Sequence, residues 1–196
     1  MSELRIDALM TDLLTYLQTI QPLSEGLMQA LQTGITREEL PEKHLLLQPG
    51  RVARKIYFVE SGLVHGFTLF RERKVSSWFM REGDFVISVV SFLMQAPSTE
   101  YLELLEPSVV YSVTYDQLQL LYTHFPEFNT IGRRLTEKYY VLSEQRAYTL
   151  RTASASERYE QLLRDFPDIF QRVQVKQIAS YLGIAPETLS RLRAQY

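Results

Sequence analysis

Between about residues 40 and 115 the chain breaks into short runs rich in β-branched and aromatic residues: HLLLQPG, KIYFVESGLVHGFTLF, VSSWFM, DFVISVV, TEYLELLE and SVVYSVTY. Turn-forming pairs separate them, at Pro49-Gly50, Ser61-Gly62, Glu82-Gly83-Asp84 and Ala96-Pro97-Ser98. Short strands at such close spacing cannot bury their faces one at a time. They predict a β-sandwich or a closed roll. One run is ambiguous: DFVISVVSFLMQ fits a short helix as well as a strand.

Helical periodicity flanks this block. Leu4, Leu9, Leu13, Leu14, Leu17 and Ile20, then Leu23, Leu27 and Leu31, recur at helical spacing, and Pro22 splits them into two helices. After Tyr115, DQLQLLYTHF reads as one short helix, and Pro126 opens a long one running to about residue 151. Phe128, Ile131, Leu135, Leu142 and Leu150 lie near one stripe of the long helix, with Tyr139 beside them and charged residues on both flanks. A helix of about 25 residues is roughly 37 Å long. So long a helix with a narrow apolar seam pairs with a copy of itself, which predicts a homodimer held at Ile131, Leu135 and Leu142. The alternative is a helix packed only on its own β domain. The expected fold class is α+β: a β-roll (jelly roll) with flanking helices over 1–125, a dimerisation helix over 126–152, and a helical unit over 153–196.

The chain has no cysteine, which excludes disulfides and thiolate metal sites. No segment reaches the roughly 18 continuous apolar residues of a membrane span, and MSELRIDALM lacks a signal-peptide core, so a cytoplasmic protein is expected. Net charge is only −2, but it is unevenly spread. Residues 1–130 hold 10 Lys and Arg against 16 Asp and Glu; residues 131–196 hold 11 against 7. A basic C-terminal third is what phosphate contact there requires.

The most informative stretch is VKQIASYLGIAPETLSRLR, residues 175–193. It follows a helix expected over roughly 157–165, capped by Ser154 or Ser156. Two short helices, 175–182 and 186–195, need a small residue where they cross, and Ala179 supplies it. The turn needs a residue that tolerates the left-handed region, and Gly183 supplies that. Ile178, Leu182, Ile184, Leu189 and Leu192 fall on the shared core, and Pro186 suits the first turn of the second helix. This is the helix-turn-helix pattern of double-stranded DNA binders. Ala185 stands at the N-cap, where Ser or Thr is favoured by about 1 kcal/mol. The outward face of the second helix carries Glu187, Thr188, Ser190 and Arg191. An arginine can pair with guanine O6 and N7, and a glutamate can accept from cytosine N4.

The whole layout resembles the cyclic-AMP receptor/fumarate–nitrate regulator (Crp/Fnr) superfamily of bacterial transcription regulators. KIYFVESGLVHGF, the REGDF turn at 81–85, the long helix and APETLSR carry the resemblance, which runs from about residue 22 to 196. It implies a cyclic-nucleotide-binding-like β-roll, a parallel dimer through the long helix and a C-terminal DNA-binding unit. The family's recognition helix has an Arg-Glu-Thr-x-x-Arg pattern. Glu187, Thr188 and Arg191 match it, and Pro186 replaces the first arginine. With Tyr196 following so soon, the chain is most similar to the short, wingless branch.

The resemblance also defines where an effector would sit, and there the chain departs. Nucleotide-binding members have a Phe-Gly-Glu run after the Gly-Asp-Phe turn; Val86, Ile87 and Ser88 stand at those positions. Their following Arg-Ser-Ala run, whose arginine pairs with the cyclic phosphate, is replaced by Ser98, Thr99 and Glu100. The cation is gone and an acid lies nearby. Cyclic nucleotide binding is therefore not expected. A neutral or apolar effector is the ligand that a pocket near Val86, Ser88, Val89, Ser98, Thr99 and Tyr101 would accept; the alternative is a filled roll that responds to nothing. Arg81, before the turn, is expected to point at solvent.

No catalytic, metal or cofactor site is expected. His44, His65 and His124 lack metal-ligand spacing, and His65 reads as structural. A cupin-type metalloenzyme would need more ligands than His44 and His65. Glu38-Glu39 read as a solvated helix face. Arg71, Arg73 and Lys74 sit at a hairpin tip, either as a charged loop or as a contact for RNA polymerase or DNA. A regulatory module of the same fold that has lost DNA binding is the competing reading, with Pro186 as its evidence.

Overall fold

The computed structural model describes residues 11–195. Two helices, α1 (Thr11–Ile20) and α2 (Glu25–Gly34), flank Pro22, as the periodicity predicts; Leu4 and Leu9 lie outside the described residues. Ser24 caps α2 by accepting from the Leu27 amide. Eight strands follow: β1 (Thr36–Leu40), β2 (Leu45–Leu47), β3 (Lys55–Ser61), β4 (Val64–Phe70), β5 (Arg73–Met80), β6 (Phe85–Val86), β7 (Tyr101–Leu104) and β8 (Ser108–Thr114). A short helix α3 (Val89–Met94) lies between β6 and β7. The ambiguous run thus resolves as two strand residues and a helix.

The strands form two antiparallel sheets, ordered β1-β8-β3-β6 and β2-β7-β4-β5. Tyr57, Val59, Val64, Val86, Leu102, Leu104 and Val110 are buried in the main core. Glu38 and Glu39 lie on β1, not on a helix. Glu38 accepts from Lys55 (2.9 Å) and Ser112 (2.8 Å), so it pins an edge strand to its sheet. The sequence TREEL gave no strand signal because β1 is short and its cross-strand partners are remote in sequence.

After β8 the chain is helical: α4 (Tyr115–His124), α5 (Pro126–Thr152), α6 (Ala155–Asp165), α7 (Ile169–Arg172), α8 (Val175–Leu182) and α9 (Pro186–Arg193). Thr114 with Gln117, and Ser154 with Glu157, form capping boxes that start α4 and α6. Gly132 of α5 passes against Tyr122 of α4, an approach that leaves no room for a Cβ.

A second core lies around α6 to α9: Tyr159, Leu162, Ile169, Val173, Ile178, Ala179, Leu182, Leu189 and Leu192. The roll contributes Leu63 and Phe79 to it, both buried. The C-terminal helices are therefore docked on the outer face of the roll's second sheet.

Candidate nucleic-acid interface and the sensor roll

Helices α8 and α9 have the arrangement expected of a helix-turn-helix. Ile178, Ala179 and Leu182 bury one side of α8, and Leu189 and Leu192 bury one side of α9. Gly183 ends α8 in the left-handed region (φ 66°, ψ 35°), and the amide of Ile184 donates to the Ala179 carbonyl at 3.0 Å. A Cβ there would be strained whatever the space around it. Ala185 offers no side-chain cap, and Pro186 occupies the first turn of α9.

Glu187, Ser190 and Arg191 are exposed on α9, and Thr188 is half-buried. Arg191 lies 3.4 Å from the Thr188 hydroxyl and makes no ion pair with Glu187 among the described residues. The helix thus presents one cationic donor fork, one carboxylate and one hydroxyl to an incoming surface, none of them covered by the roll.

The docking of this unit is polar as well as apolar. Strand β5 is the last in its sheet, so one side of its backbone lacks a strand partner. Ser180 of α8 replaces one: its hydroxyl accepts from the Ser76 amide (2.9 Å) and donates to the Lys74 carbonyl (3.1 Å). Arg146 of α5 donates to the Ser77 carbonyl (2.7 Å) and to the Tyr181 carbonyl (2.8 Å), and stacks on the Tyr181 ring. Burial lowers the Arg146 pKa below the ordinary guanidinium value, since only carbonyls and a ring face it. Arg172 of α7 is paired with Glu106, Glu82 and Asp168. The hydrogen bonds that Arg172 donates to Glu106 and Glu82 raise its pKa. Burial pushes Glu82 up, but Arg172 and two amides more than offset it, and its pKa falls.

His65 lies beneath α8 with no exposed surface. Its Nε2 is 2.8 Å from the Ser76 hydroxyl, and the Gln177 amide approaches Nδ1 at 3.4 Å. It stacks between Phe67 and Phe79. Burial, then the nearby Lys74 charge, pushes its pKa down to about 4, so it is neutral at pH 7. It is a structural residue of the docked interface, as the sequence predicts.

The expected effector residues do not line one cavity. Val86, Ser88 and Ser98 are buried. Ser88 donates to Glu100 (2.6 Å), and Ser98 and Glu100 bond each other through hydroxyl, amide and carbonyl. Burial raises the Glu100 pKa, which the Ser88 hydroxyl partly offsets. Thr99 is exposed. Val89 is 53% exposed on α3 and lines a different groove. Tyr101 stacks on Phe67, on the opposite face of β7 from the buried Leu102. A strand places alternate side chains on opposite faces, so neighbouring positions in the sequence cannot all reach one pocket. Arg81 departs from expectation too: it lies over the Phe166 ring rather than in solvent.

The long-helix seam needs a shift as well. Ile131 is fully buried in the protomer's own core, so it is not free for a partner, and Leu135 packs against that core while remaining partly exposed. Leu142 is 48% exposed, beside Tyr140, Val141, Tyr148 and Leu150, which are also exposed. The first two turns of α5 serve the roll, and the apolar surface left over begins about ten residues later. A groove of about 500 Å³ runs between α5, α3 and the outer face of the first sheet, with Val89, Leu93 and Tyr140 along it.

Among the described residues no cluster of three or more metal-ligating side chains exists, and no helix is long and apolar enough to cross a membrane. Arg146, Arg172, Glu82, Glu106 and Ser180 were not legible as a site, because each has a partner 66 or more residues away that only the fold brings near.

Residues 37–124 match the family model of the cyclic nucleotide-binding domain. No curated protein matches the chain by sequence. Solved structures similar in fold include the c-di-GMP-responsive global regulator CLP of Xanthomonas campestris, at 19% identity over 88% of this chain and 91% of that one, TM-score 0.67. FixK2 of Bradyrhizobium japonicum is 20% identical over 82% and 83%, TM-score 0.68. A regulator of the Crp/Fnr family from Eubacterium rectale is 12% identical over 91% and 85%, TM-score 0.69. Residues 37–124 are thus similar to the cyclic nucleotide-binding domain, and over most of its length the chain has the fold seen in the Crp/Fnr regulators.

Proposed function

We propose that this chain is a transcription regulator that binds double-stranded DNA as a homodimer through α8 and α9. The observation that carries the reading is α9 itself: a helix seated on α8 by Leu189 and Leu192, with Glu187, Ser190 and Arg191 left uncovered. Arg191 reads guanine, Glu187 reads cytosine or orients the arginine, and Thr188 and Ser190 contact bases or phosphates at the rim. The exposed apolar surface of α5, from Tyr140 to Leu150, pairs with its copy and sets the spacing of two such helices.

The roll does not take a cyclic nucleotide in this reading. Where a phosphate would need a cation, the buried Ser88 and Ser98 are already bonded to Glu100, a carboxylate. An anion placed there meets like charge in a partly desolvated site. Any effector is uncharged, or the protein responds to its own abundance. The β4–β5 hairpin, with Leu69 and Phe70 exposed beside Arg71 and Arg73, is the surface offered to a protein partner such as RNA polymerase. A gel shift with DNA from upstream of its own gene tests the reading: a discrete, competitor-resistant complex supports it, and binding indifferent to sequence opposes it.

A further inference from the structure

The four residues Arg81 to Asp84 join β5 to β6, and each charged side chain in them holds a different part of the molecule. Arg81 lies over the ring of Phe166, just beyond α6. Glu82 accepts from Arg172 of α7 at 2.7 Å and from the Gly62 amide at 2.9 Å. Asp84 folds back on the turn, accepting from the Arg81 amide at 3.1 Å. Its other oxygen lies 3.4 Å from the Tyr139 hydroxyl of α5, and that hydroxyl accepts from the Phe85 amide at 2.8 Å. The turn therefore grips the helix-turn-helix unit on one side and the long helix on the other. Its next residues, Phe85 to Ser88, enter the segment that contains α3 and the Ser88–Ser98–Glu100 cluster.

We infer that the 81–84 turn is a coupling latch, through which a change at α5 or at the 85–100 segment is transmitted to the docking of the helix-turn-helix unit on β5. The inference stands independently of whether α9 reads DNA. Two features hold the docked state in one defined geometry. The Arg172 cluster gathers three carboxylates around one guanidinium, whose planar fork makes charge-assisted bonds of fixed direction. The docked edge is also discrete: Ser180 either spans the Ser76 amide and the Lys74 carbonyl or leaves both to water. Arg172 and two amides lower the Glu82 pKa against the effect of burial, whereas burial raises that of Asp84, which faces Lys138 and Arg81 as well as Tyr139.

Two readouts sit at the docked face and do not depend on DNA. One is hydrogen exchange of the Ser76 amide. The other is the NMR titration of His65, which lies under α8 and is readily told from His44 and His124. The decisive variant is Tyr139→Phe. Tyr139 touches the turn and, among the described residues, has no bond to α6–α9; the other contact of α5 with β5, Arg146 on the Ser77 carbonyl, is left in place by this variant, so what the variant changes directly is the hold on residues 81–85. We expect faster Ser76 exchange, by about tenfold, and a His65 midpoint moved up toward the ordinary histidine value. Arg172→Gln should produce the same two changes more strongly, with helix content and oligomeric state unchanged. If Arg172→Gln fails to fold, Glu82→Gln breaks one arm of the same fork. Should Tyr139→Phe leave both readouts at their original values while Arg172→Gln moves them, the clamp is a local fastening and the coupling is wrong. Should neither variant move them, the apolar contacts of Leu63 and Phe79 alone hold the unit and the latch is wrong altogether.

Discussion

The guanidinium of Arg146 lies 3.6 Å above the ring of Tyr181, with its nitrogens spent on two backbone carbonyls, Ser77 in the roll and Tyr181 in the helix-turn-helix unit. One side chain of the long helix thus joins all three parts of the fold. Removing it leaves two carbonyls unpaired in a largely dry contact. Each such loss costs about 1–3 kcal/mol. Arg146→Ala should lower the unfolding free energy by roughly 2–4 kcal/mol, read as a shift of the urea midpoint. Arg146→Lys should restore little of it, because an ammonium cannot span both carbonyls while stacking on the ring. Full rescue by lysine would show that charge alone is what matters.

His65 gives the fold a defined acid sensitivity. Its folded-state pKa is about 4, below the 6.5 of a free histidine. Between those values the unfolded chain binds more protons than the folded one, so stability rises with pH across the window. The stabilisation is complete above pH 6.5 and is lost as pH falls toward 4. A shift of that size corresponds to about 3 kcal/mol. Thermal unfolding at pH 7 and pH 5 should show a lower midpoint at pH 5, with the difference reduced in His65→Gln. An unchanged difference in that variant would place the acid sensitivity elsewhere.

The Ser88–Ser98–Glu100 cluster predicts silence toward cyclic nucleotides. Calorimetry with cyclic AMP and cyclic GMP should give no saturable heat at ligand concentrations of 100 µM or so, where a 1 µM site would be nearly filled. Micromolar binding that disappears on mutating residues 86–100 would mean that the roll opens to admit a phosphate.

The exposed part of α5 predicts how the dimer breaks. Leu142→Glu or Tyr148→Glu should give a folded monomer by sedimentation at micromolar concentration, since both side chains are exposed in the protomer. Ile131→Glu should instead unfold the chain, because Ile131 has no exposed surface and a buried unpaired carboxylate is costly. A folded monomer from Ile131→Glu, with Leu142→Glu still dimeric, would return the seam to the start of the helix.

Much of this architecture is legible in the residues. The roll follows from short β-branched runs between turn pairs, and Pro22, Pro126 and Gly183 mark helix boundaries that the structure shares. The helix-turn-helix was readable because its signal is local: Ala179, Gly183 and Leu189 meet within about ten residues. The candidate effector positions were harder. Val89 and Thr99 look equivalent to Ser88 and Ser98 in the sequence, yet pleat and helix rotation turn them outward. The seam at Ile131 failed for a related reason: periodicity shows which residues share a face, not whether that face meets a partner or the chain's own sheet. Arg146 and Arg172 resemble solvated charges on any helix, and only long-range folding gives them partners.

The reading of α9 as a recognition helix is tested most directly by in vitro selection of bound sequences from random duplex DNA, with the intact chain and with Arg191→Ala side by side. Two helices presented by a two-fold dimer should enrich an inverted repeat with half-sites about 34 Å, or 10 base pairs, apart. Arg191→Ala should weaken the selected site by about 1–3 kcal/mol and relax preference at one position of each half-site, while non-specific binding falls less. Selection that enriches no sequence, or an enriched sequence that Arg191→Ala binds as tightly and as selectively, would contradict the assignment.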